Sequence, residues 1–93
     1  MFENRQQKVT LGQVVATAAA IAVLDDASIR AALRRHSAGD WGELDAHDLA
    51  ANEAALRDGD RLVSVYKNVN GTRFYIITEW DRSLTTILLP EDY

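Results

Sequence analysis

The chain has 93 residues, no cysteine and a net charge of −4 at a pI of about 5.0. That length fits one domain with one modest core, and the missing cysteines exclude a disulfide framework, a thiolate metal site and a cysteine nucleophile. With 47% hydrophobic and 26% charged residues, the composition is that of a folded globular domain.

The charge is uneven along the chain. Residues 1–24 carry +1, residues 25–60 carry −5 and residues 61–93 are neutral. Nucleic-acid-binding domains cluster Lys and Arg to neutralise phosphates, so the acidic middle reads as a solvated helical face that keeps the protein soluble or as a surface for a protein partner, and no direct contact with nucleic acid is expected.

Residues 1–8 are polar and read as a flexible N-terminus, leaving 9–93 as a single α+β domain. Val9–Ala16 is rich in β-branched residues and reads as extended, with a bend at Gly12. Thr17 can cap a helix over Ala18–Leu24; a single long helix from Leu11 to Leu24 is the alternative. The apolar run Val14–Leu24, with Arg5 and Lys8 upstream, resembles a secretory leader. However, it ends at Asp25-Asp26 and is shorter than the roughly 20 residues that span a bilayer. It is read as a buried core segment of a cytoplasmic protein.

Ser28 is the expected cap of a second helix. There Ile29, Ala32, Leu33 and His36 recur at the spacing of one helical face, and Gly39 stops it. Asp45 can cap a third helix, with Leu49 and Leu56 two turns apart and Gly59 as its stop. From Arg61 the period becomes alternating. Arg61–Val69 and Arg73–Trp80 read as strands joined by a two-residue type I′ turn at Asn70-Gly71. Leu84–Leu89 is a third strand, ended by Pro90. The expected architecture is two or three N-terminal helices packed on a three-stranded antiparallel β-meander. The second face of that sheet, with Tyr75 and Ile77, needs a cover: either the Val9–Ala16 segment or a second copy in a homodimer.

Chemistry-bearing patterns are few. His36 and His47 match no ligand spacing and read as boundary residues. No phosphate loop and no activated serine context is present, so neither enzyme activity nor a cofactor or metal is expected. Arg30, Arg34 and Arg35 form a thin basic patch, best explained by ion pairs with neighbouring acids. Trp41 reads primarily as a plug for the seam between helices and sheet, and otherwise as an interface anchor among acids.

Five blocks carry a resemblance. They are Leu11-Gly12-Gln13-Val14-Val15-Ala16-Thr17, Gly39-Asp40-Trp41-Gly42-Glu43-Leu44-Asp45, Ala51-Asn52-Glu53-Ala54-Ala55-Leu56, Ile76-Ile77-Thr78-Glu79-Trp80-Asp81-Arg82-Ser83 and Leu88-Leu89-Pro90-Glu91-Asp92-Tyr93. Together they resemble a family of short plasmid-related and hypothetical bacterial proteins carried on plasmids and integrative elements. Many members of that family have Pro-Gly after the position that Thr17 resembles, where this chain has Ala18-Ala19. The resemblance implies a setting and transfers no catalytic residues. Small acidic proteins of mobile elements often bind host defence proteins, CRISPR effector complexes among them. The expected function is therefore a non-enzymatic inhibitor of a host defence protein, of the anti-CRISPR kind. It would act through Asp40, Trp41, Glu43, Asp45, Asp48 and Glu53. The alternative is an accessory regulator of the element that binds DNA or a regulatory protein as a dimer.

Overall fold

The computed structural model describes residues 7–93. The elements run β1 (Gln13–Ala16), α1 (Ala18–Val23), α2 (Asp26–Ser37), α3 (Ala46–Asp58), β2 (Leu62–Lys67), β3 (Arg73–Thr78) and β4 (Leu84–Leu88), closed by a 3-10 turn at Pro90–Asp92. The fold is α+β. The sheet has four strands in the order β1-β4-β3-β2. β2, β3 and β4 form the expected antiparallel meander, and β1 adds to it in parallel beside β4. The helices therefore lie between β1 and the meander in the chain, and the sheet is mixed.

That fourth strand corrects the expectation for Val9–Ala16. The segment does not lie across the second face of the sheet; it extends the sheet sideways, Gln13 opposite Leu84 and Ala16 opposite Ile87. Of the expected flexible terminus, residues 1–6 lie outside the described residues. At the junction with the domain, the N–H groups of Lys8 and Val9 both donate to the Ser37 carbonyl, at 2.7 and 3.0 Å.

Caps set the helix starts. The Thr17 hydroxyl accepts the Ala20 N–H at 3.1 Å. The second helix begins earlier than Ser28 suggested, because the Asp25 carboxylate accepts the Ser28 N–H at 3.0 Å. The Asp25 backbone is itself held by Asn68 Oδ1. Asp45 caps α3 as expected, accepting the Asp48 N–H at 2.8 Å, and Gly59 ends it in the left-handed region at φ 77.

The hairpin turn differs from the type I′ expectation. Type I′ needs positive φ at both central residues, but of Asn70 and Gly71 only Gly71 has it. Gly71 N–H donates to Asn68 O at 2.9 Å, and Asn68 N–H to Thr72 O at 2.8 Å. This is a type I turn followed by a left-handed glycine, a three-residue loop that Asn-Gly suits equally well.

On one sheet face Leu62, Ser64, Tyr66, Phe74, Ile76, Thr78, Thr85 and Ile87 are buried. Ala20 and Leu24 from α1 and Ala32 from α2 complete the main core, with Ile29 and Leu33 packed against it. Val9, Trp41, Ala55 and Leu62 form a second cluster. Helix α3 turns Asn52 and Ala55 inward, whereas Leu49 is exposed. Trp80, expected within a strand, lies beyond the end of β3 and is also exposed. The second face carries Val65, Ile77 and Leu88. There the Tyr93 ring meets Tyr75 edge-on at 5.9 Å, and Arg61 donates to the Tyr93 hydroxyl at 2.6 Å.

His36 is fully buried on the helix-covered face, not a boundary residue. Its Nδ1 lies 2.6 Å from Ser64 Oγ and its Nε2 lies 2.8 Å from Thr78 Oγ1. Thr78 Oγ1 is 2.8 Å from Thr85 Oγ1, which donates to the Leu11 carbonyl at 2.7 Å. A carbonyl only accepts and each hydroxyl has one proton, so the whole chain has one direction. Thr85 donates to Leu11, Thr78 donates to Thr85, and His36 Nε2–H donates to Thr78. Nδ1 then accepts from Ser64. The ring is neutral in the Nε2–H tautomer.

Burial first, and then the charge of Arg82, pushes the imidazole down from 6.5 to about 4. The folded state thus binds fewer protons than the unfolded chain between these values. The stability this gives is complete above about pH 6.5 and is lost as pH falls toward 4. The loss amounts to about 3 kcal/mol. Asp40 and Asp81 are held below the usual carboxylate range, chiefly by the Arg35 and Ser83 side-chain hydrogen bonds, and act only below about pH 4. Urea titrations at about pH 7 and pH 4.5 will show the chain less stable at the lower value. His36→Leu will be weaker at both and will lose most of the difference.

The free edge of β2 is closed. The Asn52 side chain donates to the Val63 carbonyl at 2.7 Å and accepts the Val63 N–H at 3.1 Å, which pins α3 to the strand. Asn52→Ala leaves two backbone groups unpartnered and will cost about 1–3 kcal/mol in urea denaturation, with faster hydrogen exchange at Val63.

Candidate functional site

The acidic segment starts in the loop Gly39–Asp45, which the fold holds at many points. The Asp40 carbonyl accepts the Tyr66 hydroxyl at 2.6 Å. The Trp41 carbonyl accepts Val65 N–H at 3.2 Å and the Val65 carbonyl accepts Glu43 N–H at 2.7 Å. The loop therefore pairs with β2 through a parallel bridge, Gly42 opposite Val65. Gly42 is required here: its φ is 78, and a β-carbon would overlap the Val65 carbonyl and crowd the Tyr66 ring.

The six residues expected at the partner surface separate into two groups. Asp40, Trp41 and Glu53 are engaged by other side chains of the fold: Trp41 is buried, whereas Asp40 and Glu53 are exposed but hydrogen-bonded to Arg35 and Trp41. Asp40 forms a two-pronged ion pair with Arg35, at 2.8 and 3.2 Å, and accepts the Gly42 N–H. Those bonds hold its carboxyl below the usual range and raise the Arg35 guanidinium. Arg35 also stacks 4.9 Å over the Tyr66 ring, and burial pushes the Tyr66 hydroxyl up. Trp41 is 3% exposed. Its ring meets His36 edge-on at 5.6 Å, and its Nε1–H donates to Glu53 at 2.7 Å. It plugs the seam, and no part of a large aromatic anchor is presented to a partner.

Glu43, Asp45 and Asp48 form the second group. All three are exposed, at the end of the loop and the first turn of α3. Among the described residues, no Lys or Arg side chain forms an ion pair with them; Asp48 has only His47, at 3.5 Å. By contrast Asp26 and Asp40 are neutralised by Arg30 and Arg35, the ion pairs expected of the basic patch.

Asp45, His47 and Asp48 bring their ligand atoms within 4.8 Å of one another. One Asp45 oxygen is engaged as the helix cap, and all three side chains are exposed. Such a set makes at most a weak, hydrated site for a hard cation.

Beside the acids runs a shallow groove of about 390 Å³ between α3 and the second sheet face. Asp48 and Ala51 form one wall, Val63, Val65 and Tyr75 the floor, and Tyr93 and Arg61 the far end. The sequence flags Tyr75 but not this groove, because nothing in the spacing reveals that α3 lies along β2.

No protein family, no characterised protein and no solved structure matches the chain. No helix among the described residues is long and apolar enough to cross a membrane.

The burial of Trp41 yields a direct test. Trp41→Ala will lower stability by about 3–5 kcal/mol in denaturant titrations, the cost of removing a buried aromatic. A surface anchor would leave the unfolding midpoint unchanged.

Proposed function

We propose that this chain is a non-enzymatic binding protein of a mobile element that inhibits a host defence protein, in the manner of an anti-CRISPR protein. It would lay Glu43, Asp45 and Asp48 on a basic surface that the target uses for nucleic acid. One observation carries this reading: three exposed carboxylates, without Lys or Arg partners among the described residues, stand on a loop and helix start fastened to β2. A fixed acidic face loses little entropy on docking. Its charge speeds and orients the encounter with a basic partner. The mobile-element setting rests on the resemblance of the Gly39–Asp45 and Ile76–Ser83 blocks. The alternative, a regulator binding DNA through Arg30, Arg34 and Arg35, has less in its favour. Two of those arginines are already committed to Asp26 and Asp40.

The test is plasmid transformation into cells whose CRISPR system targets that plasmid, with and without expression of the chain. Wild type will restore transformation, and tagged wild type will retain the effector complex. The variant Glu43→Lys/Asp45→Asn/Asp48→Lys will do neither while melting like wild type. Asparagine at 45 preserves the cap, which a lysine would remove at a cost of about 1 kcal/mol. Equal activity of the variant and wild type, or no activity of wild type against any CRISPR type, removes the proposal.

A further inference from the structure

The two edges of the sheet are treated differently. The edge of β2 is closed by the Asn52 amide and by the Trp41–Glu43 backbone. At the other edge, β1 has no such cover among the described residues. The N–H groups of Gln13 and Thr17 donate to Ser83 and Ile87 across the β4 side. In a parallel ladder these directions alternate along the strand, so the N–H and C=O of Val14 and Ala16 point out of the sheet.

Natural edge strands are usually blunted by lysine, proline, a bulge or a covering segment. The sequence Gln13-Val14-Val15-Ala16 has none of these. No charged residue occurs anywhere between Lys8 and Asp25. Sequence patterning alone makes this run a buried core segment, yet the structure leaves much of it outside. Val14 is 42% exposed, Ile21 65% and Val23 42%. Ala18 and Ala22 are exposed as well. This is an open strand edge with apolar, charge-free surface in the helix that follows it.

We infer that β1 is a self-association edge, at which two copies pair antiparallel about a twofold axis and join their sheets into one of eight strands. A second copy is the partner that this surface fits. The chain carries a net charge of −4, so copies repel over most of their surface, and the uncharged β1–α1 segment brings no like charges face to face. An antiparallel strand is also complementary to itself under a twofold.

The hydrogen-bonding directions restrict the register to those that set outward residues opposite one another. The one in which Val14 meets Ala16 of the second copy, and the reverse, makes four backbone bonds, the most that a twofold register gives within β1. Val15 then faces its own symmetry mate in the non-bonded position, where β-carbons approach to about 4.5–5.5 Å. This inference is independent of the acidic face, and either can fail alone.

The chain has no cysteine, so single-cysteine variants report the register directly. Sedimentation at high micromolar concentration will give twice the 10.3 kDa mass of the chain. Val14→Lys will give the monomer mass with an unchanged circular dichroism spectrum and melting temperature. Under mild oxidation Val15→Cys will form a disulfide-linked dimer, and Val69→Cys, in the exposed hairpin loop, will not. A monomer mass for wild type, a Val14→Lys protein that remains dimeric, or cross-linking at Val69 with none at Val15 overturns the inference.

Discussion

Five separate parts of the chain meet at one buried polar chain. His36 from α2 binds Ser64 of β2 and Thr78 of β3; Thr78 binds Thr85 of β4, and Thr85 ends on the Leu11 carbonyl, just before β1. Apolar packing alone tolerates sliding of a helix over a sheet, whereas a hydrogen-bonded chain with a single proton order does not. Every member is fully satisfied, and among the described residues no buried side-chain polar atom lacks a partner. A half-satisfied network would cost more than an apolar core. The network therefore fixes where α2 sits, and α2 carries Arg35, which holds Asp40 and with it the start of the acidic loop.

The same logic changes what the Gly39–Asp45 block means. A run of acids around a tryptophan suggests a recognition surface. Much of it instead finishes the sheet, with Trp41 and Glu43 supplying the backbone groups that β2 would otherwise expose and Glu53 reaching back to the indole. The outward carboxylates Glu43, Asp45 and Asp48 gain their fixed positions from this internal work. A mobile loop would have to be ordered on docking; the backbone that carries these carboxylates is held beforehand by its bonds to β2 and by the Asp45 cap. Closing one edge so thoroughly sets it apart from the edge at β1, which is uncovered among the described residues.

Local signals were legible where one short stretch settles the outcome. Thr17 and Asp45 cap helices because their oxygens lie within reach of N–H groups three residues on. The alternation from Arg61 onward and the Asn70-Gly71 pair give the hairpin, since only a few residue types tolerate its backbone. Even there the turn type escaped, because Gly71 alone can supply the positive φ once the loop has three residues. The segment Val9–Ala16 read correctly as extended, but its partner strand is some seventy residues away, and no local pattern names it. His36 looked like a boundary residue, because its two hydroxyl partners lie on strands 28 and 42 residues away.

What the sequence determined by itself is the α+β class, the elements and most of their ends, all set by capping geometry, backbone preference and apolar period over a few residues. The tertiary structure alone decided which acids are engaged by other side chains and which edge of the sheet is sealed. Those outcomes depend on groups far apart in the chain coming within about 3 Å, as hydrogen bonds require. A residue's type says which bonds it is able to make. Only the packed fold says which partner arrives, and so whether an exposed carboxylate such as Glu53 is engaged by the Trp41 indole or one such as Asp48 has only His47 beside it among the described residues.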